Sequence, residues 1–284
     1  KARLTYTIVD KILNHADKAL QSEYSSIVSD LENLQKLYRI MLNERNKRGA
    51  LEFDSTETAI VFNDQGKIDF IKPVFRNEAH RIIEECMLAA NVCAAKFLLE
   101  DNIDGLFRNH ECPSEEKLEN LRNFLAEFGL SLQGGSKPTP KDYRYLVAKI
   151  SDRPESHLLQ TVLLRSMQQA VYSEKNLGHF GLAYDAYTHF TSPIRRYPDL
   201  IVHRAIKSKL AKKPFQLKDI AKIAEHCSGT ERKADEATRD VESWLKCYFM
   251  QDKVGQIFEG TVTGVTSFGL FIELDEVYIE GLLH

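Results

Sequence analysis

Near residue 253 the apolar residues change period, and this limits the folds open to the chain more than any other feature. Upstream they recur at helical spacing, as in Ile8, Ile12, Leu13, Ala16 and Leu20, and again in Ile27, Leu31, Leu34, Leu37 and Ile40. Downstream, VGQIFEGTVTGVTSFGLFIELDEVYIEGLLH alternates apolar and polar residues, with glycine at the bends, which is the pattern of β-strands. The chain therefore reads as α+β: a helix-rich module over residues 1–250, then a separate all-β module over 253–284. The second module has 32 residues. A five-stranded barrel needs about twice that, so a partial barrel is expected.

Within the first module, residues 6–47 predict two helices, the second stopped by Gly49 after the basic turn Arg45, Lys47, Arg48. Short runs rich in strand formers at 50–73, with a DQG turn at 64–66, predict a small antiparallel pair or triplet. Helices are expected at 77–100 with Asn77 as N-cap, at 114–127 with Ser114 as cap, at 155–172, and at 217–249. The stretch SLQGGSKPTPKDY reads as a loop by its glycine and proline. Cys86 and Cys93, seven apart, are expected on one buried helical face.

Composition removes several function classes. Of 284 residues, 38 are basic and 41 acidic, for a net charge of -3, and 43% are apolar. That balance excludes a largely disordered chain. No apolar run reaches the roughly 18 residues that a spanning helix needs, so no membrane partner is expected. The five cysteines form no CxxC pair, which argues against a zinc site or a disulfide framework and for thiols in a reducing cytoplasm. Gly129–Ser136 comes nearest to a P-loop, but Gly135 stands where the phosphate-binding lysine is required. No HExxH or GxSxG occurs, and Asp235, Glu236 and Asp240 read as a solvated helix face. With no initiator methionine and an end on the strand-like EGLLH, the chain is expected to be a piece of a longer protein.

The informative stretch is 179–213. From Arg195 to Lys213 there are seven Lys or Arg and one acid, Asp199, a local charge of +6 in a protein of net -3. TSP predicts a helix start, with Thr191 or Ser192 as cap and Pro193 at the first helical position. A helix N-terminus attracts anions, and an arginine just inside it adds a planar fork that matches phosphate oxygens. Phe180, Tyr184, Tyr187, Phe190 and Tyr197 interleave with the charge. Two readings stand: a basic surface helix with aromatic core residues behind it, or a phosphate-binding helix start.

His179, Phe180, Gly181, Leu182, Tyr187, Thr191, Ser192, Pro193, Ile194, Arg195, Arg196, Tyr197, Asp199 and His203 together resemble the signature of the ribonuclease II/ribonuclease R (RNB) family of 3′-to-5′ exoribonucleases. RIIEECMLAANVCAA at 81–95 resembles a family helix, and ERKADEATRDVESWLKCYFM at 231–250 is most like the ribonuclease R branch. GTVTGVTSFGLFIEL and EGLLH resemble the first half of an S1 RNA-binding domain, an OB-type barrel. The resemblance implies roles residue by residue. Arg195 would be the catalytic arginine on the scissile phosphate. Arg196, one step of about 100° around the expected helix, would face elsewhere and serve binding or packing.

Phe53 would cap the stacked bases at the RNA 3′ end, against a core role. Tyr6 and Glu84 would contact ribose hydroxyls, with Glu85 leaving the register of the acid open by one. Phe268, Phe271 and His284 would be the base-stacking surface of the S1 part, where stacking contributes about 1–3 kcal/mol per base. An odd separation points Phe268 and Phe271 to opposite faces of a strand, so Phe271 could equally be core.

The family also carries a metal-binding aspartate cluster early in its catalytic domain. No such cluster occurs in this sequence, so its Mg²⁺ ligands would lie upstream of Lys1, and the chain alone is expected to be inactive. The implied function of the intact protein is processive 3′-to-5′ hydrolysis of single-stranded RNA to nucleoside 5′-monophosphates, with no small-molecule cofactor. The alternative is a non-catalytic RNA-binding or adaptor protein that uses the same basic groove and S1 surface.

Overall fold

A computed structural model describes residues 2–53, 57–275 and 277–284. Among these residues the elements run α1 (Tyr6–Leu13), α2 (Lys18–Glu23), α3 (Ser25–Arg48), β1 (Glu57–Phe62), β2 (Ile68–Val74), α4 (Glu78–Glu100), β3 (Phe107–Asn109), α5 (Glu115–Glu127) and α6 (Pro140–Ile150). There follow α7 (Ser156–Ser166), β4 (Val171–Ser173), α8 (Tyr197–Leu210), α9 (Ile220–Met250), β5 (Gly260–Thr266), β6 (Gly269–Leu274) and β7 (Ile279–Leu283). The fold is α+β. It divides into two compact units, each gathering three stretches of chain.

The first unit holds residues 1–51, 76–111 and 170–225. Thr5 opens α1 by accepting from the Ile8 amide, and Asn77 opens α4 by accepting from His80. Gly49 closes α3 at φ 90°, a left-handed conformation that glycine adopts without steric cost, as the basic last turn predicts. The core joins α4 to α8. Ala94, Ala95 and Leu98 pack with Val202, Ala205 and Phe107, and the small side chains let the two helices approach closely. β3 and β4 pair antiparallel, with Arg108 opposite Tyr172.

The second unit holds residues 52–75, 112–169 and 226–284. β1 and β2 form the expected antiparallel pair, and the Asn63 carboxamide oxygen accepts the amides of Gln65 and Lys67 in its turn. Leu118, Leu121, Leu125, Tyr143, Leu146, Ile150, Leu159 and Leu163 make a dry core where α5 and α6 meet α7. β5, β6 and β7 form an antiparallel sheet in that order, and Lys246 of α9 donates to the Tyr278 carbonyl at 3.1 Å.

Several expectations are corrected. The first helix of residues 6–47 is two: the chain breaks after Leu13, and Asp17 starts α2 by accepting from Ala19 and Leu20. The segment read as a loop contains the start of α6, where Asp142 accepts both the amide and the hydroxyl of Thr139 at 2.7 Å. The helix expected over 155–172 ends at Ser166, and residues 171–173 pair with β3 instead. Cys86 is half-buried while Cys93 is exposed, because the pair straddles the edge of the α4 buried face.

Candidate functional site

The signature segment begins with a turn locked by two histidines. The His110 and His179 rings meet edge to face at 5.0 Å. The Gly181 amide donates to His110 Nδ1 at 3.0 Å, and the Leu182 amide to His179 Nδ1 at 3.2 Å. Both bonds need a bare Nδ1, so both rings are neutral here. A Cβ on Gly181 would lie 2.9 Å from His110 Nδ1, so the signature glycine is required by close approach. Burial first, then the cost of a second proton beside the His110 ring and the Arg108 guanidinium, lowers the His179 pKa to about 3.

Residues 187–192 are each fastened by a partner outside that run. The Tyr187 hydroxyl accepts from Asn91 Nδ2 at 2.8 Å, and its carbonyl accepts the Arg108 amide. The Thr188 hydroxyl donates to the Leu106 carbonyl. His189 Nδ1 shares a 2.8 Å hydrogen bond with the Tyr172 hydroxyl, and burial, followed by the Arg196 charge, lowers its pKa to about 2. The Phe190 amide donates to Asn91 Oδ1 at 3.0 Å, its carbonyl accepts from His203 Nε2 at 2.8 Å, and the two rings stack. The Thr191 amide also reaches Asn91 Oδ1, at 3.3 Å. The Ser192 amide donates to Asp199 Oδ1 at 2.8 Å.

Asp199 is wholly buried and also takes Arg196 Nη2 at 2.8 Å. This overturns the expected helix start. Pro193, Ile194 and Arg195 form a turn in which the Arg195 and Arg196 amides both donate to the Ser192 carbonyl. α8 begins at Tyr197, with Pro198 in its first turn. Two prolines satisfy the same N-terminal rule, and the Asp199 carboxylate decides between them by capturing the Ser192 amide. Arg195 therefore projects from the turn ahead of the helix, exposed, and no acid pairs with it among the described residues. Its separation from Arg196 is not a helical step. The Arg196 side chain, 19% exposed, is engaged by Asp199 and placed to brace the turn. Beyond it, Arg204, Lys207, Lys212 and Lys213 are exposed, and Lys209 pairs with Asp101 at 2.8 Å.

Elsewhere in the first unit, the Tyr6 ring stacks on His80 at 4.0 Å. Glu84 lies one helical turn beyond His80 on α4, so these two share a face, with Tyr6 of α1 packed on the histidine. Arg45 Nη1 sits 3.2 Å from Glu84 and 2.7 Å from Glu85. The Glu85 side chain is 3% exposed and that of Glu84 is 34% exposed, so of the two only Glu84 offers its carboxylate to a ligand.

In the second unit, Phe53 is half-buried and outside helix and strand. Phe268 occupies the β5–β6 turn, 58% exposed, and its ring meets that of Phe271 edge to face at 6.3 Å. The expectation of opposite faces fails because Phe268 is a turn residue, outside the alternation of the strand. His284 Nδ1 lies 3.2 Å from the Phe268 carbonyl, so the three expected stacking residues gather at one end of the sheet.

The sequence model of the RNB domain matches residues 1–212, and that of the S1 RNA binding domain matches residues 251–284. The chain belongs to the RNB family. Ribonuclease R of Vibrio cholerae is 50% identical over 297 aligned residues, covering 100% of this chain and 36% of that protein. Ribonuclease R of Escherichia coli is 48% identical, again over 100% of this chain and 36% of the relative. The chain thus spans about a third of the length of these relatives. The structure of Mycoplasma genitalium RNase R in complex with ribose methylated single-stranded RNA superposes with a TM-score of 0.89 at 30% identity, over 99% of this chain and 45% of that one. Yeast Ssd1, described as a pseudonuclease, shares the fold at a TM-score of 0.71 and 21% identity, over 99% of this chain and 35% of its own.

In this RNB segment no three His, Cys, Asp or Glu side chains gather to hold a metal ion among the described residues. The described residues therefore do not fit a catalytic metal. Nor is any helix of the described residues long and apolar enough to cross a membrane. The sequence missed three features of the RNB site. His80 escaped because its partner Tyr6 is remote in sequence. The ring cluster of His110, His179 and His189 escaped because His110 lies roughly 70 residues before the other two. Asn91 was hidden inside a helix, although a lone Asn in LAANVCAA was a visible sign of a buried polar role.

Proposed function

We propose that this segment belongs to a 3′-to-5′ exoribonuclease that hydrolyses single-stranded RNA processively and releases nucleoside 5′-monophosphates. In each cycle a water oxygen bonds to phosphorus and the P–O3′ bond breaks. The phosphate stays on the released nucleotide, and a proton goes to the 3′ oxygen of the shortened strand. Arg195 holds the scissile phosphate. Its guanidinium, with no acidic partner among the described residues and on a turn held at Ser192, supplies a preorganised fork for the charge that grows on the phosphoryl oxygens. That exposed arginine on a fastened RNB signature turn is the single observation that carries the proposal.

The remaining roles follow from the same reading. Tyr6 and Glu84 select ribose through its 2′-hydroxyl, with His80 as the stacking support of Tyr6. Phe53 caps the bases at the 3′ end. Phe268, Phe271 and His284 give the start of the S1 domain a stacking surface. Residues 1–250 are the RNB portion and residues 253–284 the beginning of the S1 domain. Arg196 acts on RNA through the turn it braces with Asp199. Mg²⁺ serves the reaction from ligands outside these 284 residues, in the cytoplasm.

The test uses the full-length protein with Mg²⁺ and a 5′-labelled single-stranded RNA. The expected result is progressive shortening from the 3′ end with mononucleotide release, and no attack on DNA of the same sequence. Internal cleavage, shortening from the 5′ end, or tight binding without hydrolysis would contradict it, the last in favour of an RNA-binding adaptor.

A further inference from the structure

Asn91 is 3% exposed in the middle of α4, on a buried face where its nearest neighbours along the helix are Leu88, Ala94 and Ala95. A carboxamide among such neighbours is costly unless its hydrogen-bonding groups find partners. Here they do, and all the partners lie in the signature segment. Oδ1 takes the amides of Phe190 and Thr191, and Nδ2 donates to the Tyr187 hydroxyl. Asp199 then takes the amide of Ser192. Three successive amides are thus captured by two buried side chains, and the next residue, Pro193, has no N–H. The Ser192 carbonyl passes the restraint on by accepting the amides of Arg195 and Arg196. Packing alone does not call for this arrangement: a leucine at position 91 would suit its apolar neighbours and would strand two part-buried amides.

We infer that Asn91 is a positioning residue for Arg195. It fixes the backbone of the arginine turn from α4, so that the exposed guanidinium meets the phosphate already oriented. This rests on the role proposed above for Arg195. Asn91 itself, being buried, touches no RNA. Misplacing a catalytic group by about 1 Å can cost about 10²-fold in rate, so a side chain that acts only on the turn should act on turnover.

The experiment is a double-mutant cycle in the full-length protein, by single-turnover hydrolysis of saturating single-stranded RNA together with equilibrium binding. Asn91→Ala should slow the bound complex by about 10- to 100-fold while affinity changes by less than about threefold. In an Arg195→Ala background the same substitution should add little further slowing, because the group it positions is gone. Asn91→Asp keeps the acceptor oxygen for both amides and should recover most of the rate.

Equal slowing by Asn91→Ala in both backgrounds would overturn the inference and leave the role of Arg195 standing. So would a loss of affinity in place of rate, or an Asn91→Asp variant as slow as Asn91→Ala. An unchanged rate in Arg195→Ala alone would overturn both. Should Asn91→Ala fail to fold, the cycle is run with Asn91→Ser, which fits the site but cannot reach both amides.

Discussion

The signature segment 179–199 and the three-stranded sheet 260–283 hold their candidate side chains by different means. In the first, groups from α4, α8 and the β3–β4 pair grip Tyr187, His189, Phe190, Thr191 and Ser192, and the one exposed arginine stands just beyond them on a turn closed by the Ser192 carbonyl. In the second, Phe268 sits on a hairpin turn, and Val265 and Leu283 beside it are largely exposed. Stacking on a base tolerates small displacements and any base identity, so an open turn suffices. Stabilising charge on a phosphoryl oxygen tolerates neither displacement nor reorganisation, so its donor has to be fixed in advance. The density of side-chain-to-backbone bonds therefore separates the proposed chemistry from the proposed binding.

The largest expected effect falls on the fastened segment. Asp199→Ala leaves the part-buried Arg196 guanidinium without its partner and frees the Ser192 amide, so it should destabilise the protein by about 3 kcal/mol, the low end for breaking a buried pair, read by urea denaturation. A loss under about 1 kcal/mol would mean that the segment is not held as described. Next, Phe268→Ala in the full-length protein should weaken single-stranded RNA binding by about 1–3 kcal/mol with the unfolding midpoint unchanged, since the ring is 58% exposed. A shift in stability with no change in binding would erase the contrast between the two regions.

A third effect is on pH dependence. His179 and His189 have pKa values lowered by burial to about 3 and about 2, against 6.5 when unfolded. The unfolded chain therefore binds more protons as pH falls through 6.5. Stability that is full above pH 6.5 should decline toward pH 3, by about 1 kcal/mol per histidine per pH unit. Denaturant midpoints between pH 7.5 and 5 check this. His179→Asn, which can still accept the Leu182 amide, should flatten the dependence.

How much of this was legible in the sequence depended on range. Caps at Asn77 and Ser114 and the Gly49 stop were readable because each acts within one turn of its own helix. α6 carried a readable signal too, Thr139-Pro140 with Asp142, masked by the glycines before it. The signature marked the site and Arg195, but not the conformation. The helix begins at Tyr197 because Asp199 captures the Ser192 amide, an interaction that no propensity encodes. β4, the histidine cluster and the Asn91 contacts were not legible for the same reason. Each joins segments far apart in the chain, and a three-residue strand or a single buried amide leaves no periodic trace.

The central claim is that Arg195, on a prefixed turn, stabilises the transition state of RNA hydrolysis. The most direct test is single-turnover hydrolysis of bound RNA by the full-length Arg195→Ala enzyme, with Arg195→Lys beside it. The account predicts a rate lower by about 10²–10³, or roughly 2.7–4 kcal/mol, with RNA affinity little changed and only part of the rate restored by lysine. An Arg195→Ala enzyme that binds RNA poorly but cleaves what it binds at the normal rate would contradict it.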